Sequence, residues 1–115
     1  MDERAAETLR DMLEIIERIA LQTSRLSKAQ FLADSDAQDA TAYRILAIGE
    51  IAKSLPSEVK ERHPHIPWKQ IISMRNLLAH EYFVRESEII WETLQAGLPM
   101  LQAACEAELR LAAPD

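Results

Sequence analysis

The chain has 115 residues, 48% hydrophobic and 5% aromatic, with two Gly, five Pro, one Cys and a formal net charge of −6. That length suits one small domain, expected to span residues 1–115, whose modest core buries about two-thirds of the unfolded surface. The lone Cys105 excludes an intramolecular disulfide and a multi-cysteine zinc site, and no apolar run nears the roughly 20 residues needed to cross a bilayer.

Few Gly and Pro, abundant Ala, Leu and Ile, and the lack of a long alternating Val/Ile/Thr run predict an all-α fold. The opening Met1-Asp2-Glu3-Arg4 is charged and lacks the apolar centre of a signal peptide. The expected location is therefore the cytoplasm, with no membrane association. Charge is distributed unevenly. Residues 56–85 carry five basic residues against three acidic, with all three histidines, whereas residues 86–115 carry one basic against six acidic. A polyanion site is expected on the middle segment, with the acidic remainder limiting indiscriminate binding. The competing reading is that these charges are simply solvated faces.

The first helix is expected from about Arg4 to Ser24. Leu9, Met12, Leu13, Ile16, Ile19 and Ala20 form one stripe, with Arg10, Asp11, Glu14, Glu17 and Arg18 opposite. That stripe packs either inside its own bundle or against a second protomer. A short turn around residues 27–33 follows. Ser35-Asp36-Ala37-Gln38 has capping-box spacing, so a second long helix is expected to start there and to run to about Leu55, stopped by Pro56. Its apolar set of Ala40, Tyr43, Leu46, Ala47, Ile48, Ile51, Ala52 and Leu55 is wide enough for a central, mostly buried helix. Gly49 permits close helix approach, and Glu50 beside it is either a surface residue or part of a site.

Ser57 is suited to cap a short helix reaching about Arg62. His63-Pro64-His65-Ile66-Pro67-Trp68 reads as a rigid connector, with Pro67 fit for a first helical position. Without a nearby Cys or helical spacing, His63 and His65 read as surface residues, not metal ligands, and neither metal nor cofactor is expected. The next helix is expected over Pro67–His80, with Ile71, Met74, Leu78 and Trp68 inward. The last begins near Ser87, with Glu86 and Glu88 at its positive end. Ile90, Leu94, Leu98, Leu101, Cys105 and Leu109 form its inner stripe, in which Cys105 reads as a small core residue. Pro99 removes a helical donor, which predicts a bend near residues 95–97.

The chemistry concentrates in Arg75-Asn76-Leu77-Leu78-Ala79-His80-Glu81-Tyr82. Arg brings a permanent forked charge suited to phosphate, and His brings a group that gives or takes a proton near neutral pH. The pair suggests phosphate-ester chemistry or phosphate recognition. On a helix, Arg75 and Tyr82 lie on nearly one face, but His80 stands about 140° from Arg75. Either the helix ends near His80 or a symmetry-related chain completes the site. Asn76 orients a phosphate or His80, or caps a neighbouring backbone group. The bland readings are a salt bridge from Arg75 to Glu81, a helix C-terminal role for His80 and half-buried packing for Tyr82.

This Arg-x4-His-x-Tyr motif resembles that of the HEPN superfamily, and specifically the HepT-like ribonuclease toxins. The flanking Phe31-Leu32-Ala33-Asp34, Ile48-Gly49-Glu50-Ile51-Ala52 and Pro64-His65-Ile66-Pro67-Trp68 stand in the expected order. Three such residues at fixed offsets should arise by chance in fewer than about one in a hundred chains this long. The resemblance implies a HEPN-type antiparallel bundle of five to six helices that forms a homodimer with a composite cleft. It also implies a metal-independent endoribonuclease of a type II toxin–antitoxin pair, acting on RNA such as tRNA or mRNA. Arg75 and His80 would be catalytic, with Asn76 and Glu50 supporting phosphate binding. The implied partner is an MNT-type nucleotidyltransferase antitoxin that transfers AMP to Tyr82. Where a Gly-containing turn is implied, the chain has Val84-Arg85-Glu86. The alternative, from another class, is a catalytically silent HEPN-type module that binds nucleotide, RNA or protein.

Overall fold

A computed structural model of the chain describes residues 3–80 and 87–112, apart from the side chains of residues 75–80, 89 and 112. The described residues form six α-helices and no strand: α1 (Glu3–Thr23), α2 (Lys28–Leu32), α3 (Ser35–Ser54), α4 (Ser57–Arg62), α5 (Trp68–His80) and α6 (Ser87–Ala112). The all-α expectation of five to six helices holds.

The core follows from the apolar periodicity. Leu9, Met12, Ile16 and Ile19 of α1 join Ile45, Ile48 and Ala52 of α3 and Ile90, Leu94, Leu101 and Cys105 of α6 in one buried cluster. Ile71 and Met74 of α5 pack on its edge. Helix α1 lies against both α3 and α6, while α3 makes its most extensive packing with α5. Cys105 Sγ sits 3.4 Å from Met12 Sδ, and burial pushes its thiol up to about 12. It is a core residue, as its position in the stripe suggests.

Several local expectations are corrected. Residues 27–33 are not a plain turn but hold α2, opened by a reciprocal capping box. Ser27 Oγ accepts from Gln30 N at 3.1 Å, and Gln30 Oε1 accepts from Ser27 N at 2.8 Å. The expected box at Ser35 and Gln38 does not form, because Asp34 precedes it. The Asp34 carboxylate caps α3 by accepting from Ala37 N at 3.0 Å, a charge-assisted bond at the positive helix end. Gln38, almost fully buried, instead donates through Nε2 to Phe31 O at 2.8 Å, satisfying a carbonyl at the end of α2.

Phe31 itself is fully buried, its ring 5.3 Å from that of Trp91. Ser57 is the first residue of α4, and Pro56 before it offers no side-chain cap. Ala20 and Tyr43, expected to be inward, are exposed, Tyr43 by 73%. Helix α6 continues as one element across Pro99.

Gly97 of α6 borders a small cavity of about 40 Å³ between α3, α5 and α6, and a Cβ built there would meet nothing within 4 Å. An interior helical Gly costs roughly 0.5–1 kcal/mol relative to Ala. Gly97→Ala is therefore expected to stabilise the fold by about that amount, read as a higher midpoint in urea unfolding.

Candidate functional site

Helix α5 carries Arg75 and His80 of the motif, and the way it is held is the informative part of the structure. Its N-terminus is fixed through Trp68, whose indole Nε1 donates to Lys60 O at 3.1 Å and His63 O at 3.0 Å. These carbonyls belong to the end of α4 and its cap, so the first residue of α5 is tied to α4. Helix α4 is in turn tied on both sides. Lys60 Nζ donates to Ala52 O at 3.1 Å near the C-terminal end of α3, where a cation also suits the helix dipole.

On the other side stands Glu108 of α6, 1% exposed. Arg62 Nε and Nη2 donate to its two oxygens at 2.8 and 3.0 Å, a bidentate fork. His63 Nε2 lies 3.0 Å from Glu108 Oε1. An ionised carboxylate only accepts, so this contact requires the proton on His63 Nε2. The Arg62 guanidinium, reinforced by His63, holds the Glu108 carboxyl below its usual range against the opposing effect of burial.

His63 is accordingly not the surface residue expected from sequence but part of the α4–α6 tie. His65 remains exposed beside it, ring centroids 6.0 Å apart. Neither Arg62 nor Glu108 stands out in the sequence. The available signal was the register of α6: Glu108 follows Leu101 and Cys105 on the buried stripe, where an acidic residue needs a partner.

Arg75, Asn76 and His80 all fall in the C-terminal half of α5, which is helical through His80. Their side chains, together with Leu78, Tyr82 and the Val84-Arg85-Glu86 segment, lie outside the described residues. In an α-helix, positions 75 and 80 stand about 140° apart and about 7.5 Å along the axis. Glu50 lies in the last turns of α3 and is exposed, with Gly49 buried beside it. Since α3 packs most extensively on α5, the helix bearing Glu50 and the helix bearing the motif run alongside each other.

A family model, Ribonuclease HepT-like, matches residues 12–108. The chain belongs to the HepT-like ribonuclease family. It is 35% identical over 98 residues to the probable ribonuclease HepT of Thermococcus cleftensis, covering 85% of this chain and 89% of that one. It is 36% identical over 94 residues to a protein of Caldanaerobacter subterraneus named as a candidate RNase, covering 82% and 84% of the two chains. A longer Methanocaldococcus jannaschii protein, named as a gamma-glutamylcyclotransferase and candidate RNase, shares 37% identity over 94 residues. Those residues are 82% of this chain and 42% of that protein. No solved structure matches at a significant level. In this HepT-like chain the matched segment ends at Glu108, so it takes in both partners of the tie that holds α5.

The tie has a definite pH dependence. The folded-state pKa of Glu108 is depressed, so its stabilisation is fully present above the unfolded carboxylate value of about 4.3. It is lost as pH falls through the lower folded value. Glu108→Gln should lower the melting temperature at pH 7, and the gap from the unsubstituted protein should close as pH drops below about 4. Thermal melts of both proteins across pH 3–7 check this.

Proposed function

We propose that this chain is a metal-independent endoribonuclease and the toxin of a type II toxin–antitoxin pair. The observation that carries the reading is the Arg75-x4-His80-x-Tyr82 motif, whose Arg75 and His80 fall on α5, inside a HepT-like family match that spans most of the chain. The names of the relatives as RNases support it.

In this reading a base takes the proton from a ribose 2′-hydroxyl, whose oxygen attacks the adjacent phosphorus. An acid gives a proton to the departing 5′-oxygen, leaving a 2′,3′-cyclic phosphate and a 5′-hydroxyl. His80 supplies the proton transfers, and Arg75 stabilises the charge that develops on the phosphoryl oxygens. Asn76 and Glu50 support phosphate binding and orientation. The angle of about 140° between positions 75 and 80 supports a homodimer, in which two copies of each residue share a composite cleft and one His80 acts as base while the other acts as acid.

Incubation with RNA in EDTA should give cleavage, with ends mapping as cyclic phosphate or 3′-phosphate and 5′-hydroxyl. Arg75→Ala and His80→Ala should each slow cleavage by at least about a hundredfold. Full activity in His80→Ala would overturn the mechanism.

Control falls to Tyr82. An MNT-type nucleotidyltransferase antitoxin transfers AMP from ATP to its phenol, which loses its proton as it attacks the α-phosphorus and pyrophosphate leaves. The phosphodiester then pairs with Arg75 and occupies the place of the RNA phosphate. Co-expression with that partner should add one or more AMP units to the intact mass and silence cleavage. Tyr82→Phe should stay unmodified and active. Equal silencing of Tyr82→Phe, with no mass change on the unsubstituted protein, would count against covalent control.

A further inference from the structure

A groove runs between α1 and α3, away from the tie at α4 and α6. It has two adjoining parts of about 400 and 610 Å³, within the roughly 300–1,000 Å³ typical of ligand clefts. Arg18 and Arg44 line both parts, Arg25 lines the first and Tyr43 the second. Three guanidiniums on one groove stand out in a chain of net charge −6.

The excess of positive charge lies in the first part, where the three guanidiniums face one carboxylate, Asp34; in the second part Asp11 and Glu14 stand against Arg18 and Arg44. Arg44 Nη1 donates to the neutral Gln22 Oε1 at 2.8 Å, which fixes the guanidinium without compensating it. The Arg25 guanidinium makes no hydrogen bond or ion pair with a described residue. Arg18 pairs with Glu14 at 2.9 Å, but both side chains are more than half exposed, and such a pair is readily exchanged. The acid in the first part, Asp34, is engaged in capping α3.

Tyr43 is 73% exposed, the most exposed large hydrophobic side chain among the described residues. Arginines that track a backbone beside an open aromatic ring that stacks on bases are what single-stranded nucleic acid grooves use. Tyr43 and Glu50 are two helical turns apart, which puts them on nearly one face of α3, about 10 Å apart along the axis.

We propose that the α1–α3 groove is an RNA-binding surface outside the cleavage motif. Arg18, Arg25 and Arg44 hold backbone phosphates, Tyr43 stacks on a base, and the strand is led along α3 toward Glu50. The inference rests on the ribonuclease reading for its ligand, and it assigns residues that the motif does not include.

The test is fluorescence anisotropy of a labelled single-stranded RNA of about 20 nucleotides, long enough to span such a groove, with the full chain carrying His80→Ala so that binding is read without cleavage. Adding Arg25→Ala and Arg44→Ala together should weaken binding at least tenfold. The slope of log affinity against log salt should fall by about 1.4, since each phosphate that is no longer neutralised removes roughly 0.7. Adding Tyr43→Ala should weaken binding by about tenfold with little change in slope, and Tyr43→Phe should keep it, since stacking needs the ring and not the hydroxyl.

Arg25→Glu guards against a folding artefact, because that side chain is exposed. It should weaken RNA binding while the thermal melt stays unchanged. RNA affinity and salt slope that ignore these substitutions would overturn the proposal. So would sedimentation showing that the same substitutions separate two copies of the chain, or pulldown showing that they release an acidic partner protein while RNA binding persists. If the unsubstituted protein never cleaves yet the groove variants lose RNA, the nuclease reading fails and the groove stands. If it cleaves while the variants bind normally, the groove fails alone.

Discussion

A carboxylate buried on the last helix has to be answered by charge, and the answer sets the position of the motif helix. Removing Glu108 from water is costly unless its oxygens are hydrogen-bonded to positive partners. The fork from Arg62 and the contact from His63 meet that need. Both partners lie at the very end of α4, so the requirement locks the start of the 63–67 connector against α6. Trp68 then uses carbonyls of that same locked segment. The start of α5 therefore inherits its place from a residue much later in the chain, and Arg75 to His80 inherit theirs from α5. A helix as short as α4 is marginal alone; here it is a strut held from both sides.

The opposite side of α5 is set by packing. Ile71 and Met74 lie against a cluster to which α3 contributes Ile45 and Ile48. Small buried residues on α3, among them Ala42, Gly49 and Ala52, let neighbouring helices approach closely. Polar fixation at the N-terminal end and apolar contact along the side constrain different motions, one the axial position and the other the rotation. Both constraints bear on positions 75 and 80, because a rotation of α5 would move the two positions in different directions.

The sequence showed most of the helices and their stripes, because periodicity of buried Leu, Ile and Met is a strong local signal. It showed the family through the motif and its flanks. It failed where competition or distance decides. Ser35 and Gln38 have the spacing of a capping box, but a carboxylate one residue earlier is the stronger acceptor, while Ser27 and Gln30 form the box that spacing alone would equally allow. Tyr43 sits at a core-like position of α3, yet it stays exposed on the groove between α1 and α3. His63 could not be read as a structural residue, since its partner lies 45 positions away. The motif residues were legible as chemistry, whereas helical spacing leaves positions 75 and 80 about 140° apart and does not encode how they would act together.

The distribution of charge gives these local arrangements their consequence. At physiological ionic strength, charges are screened over about 8 Å, so a polyanion does not respond to the net −6 of the chain but to what lies within one or two side-chain lengths. Beside α6, with Glu88, Glu92 and Glu106 exposed, it meets repulsion, softened where Lys28 bridges Glu88 and Glu92. Beside Arg25 and Arg44, in the part of the groove lined by one carboxylate, Asp34, it meets attraction. A uniformly basic chain would bind RNA anywhere and in any register. In the proposed groove, an acidic chain with confined arginines would reward only a strand whose phosphates reach several of them together, and the acidic faces would add selectivity by making every other approach worse.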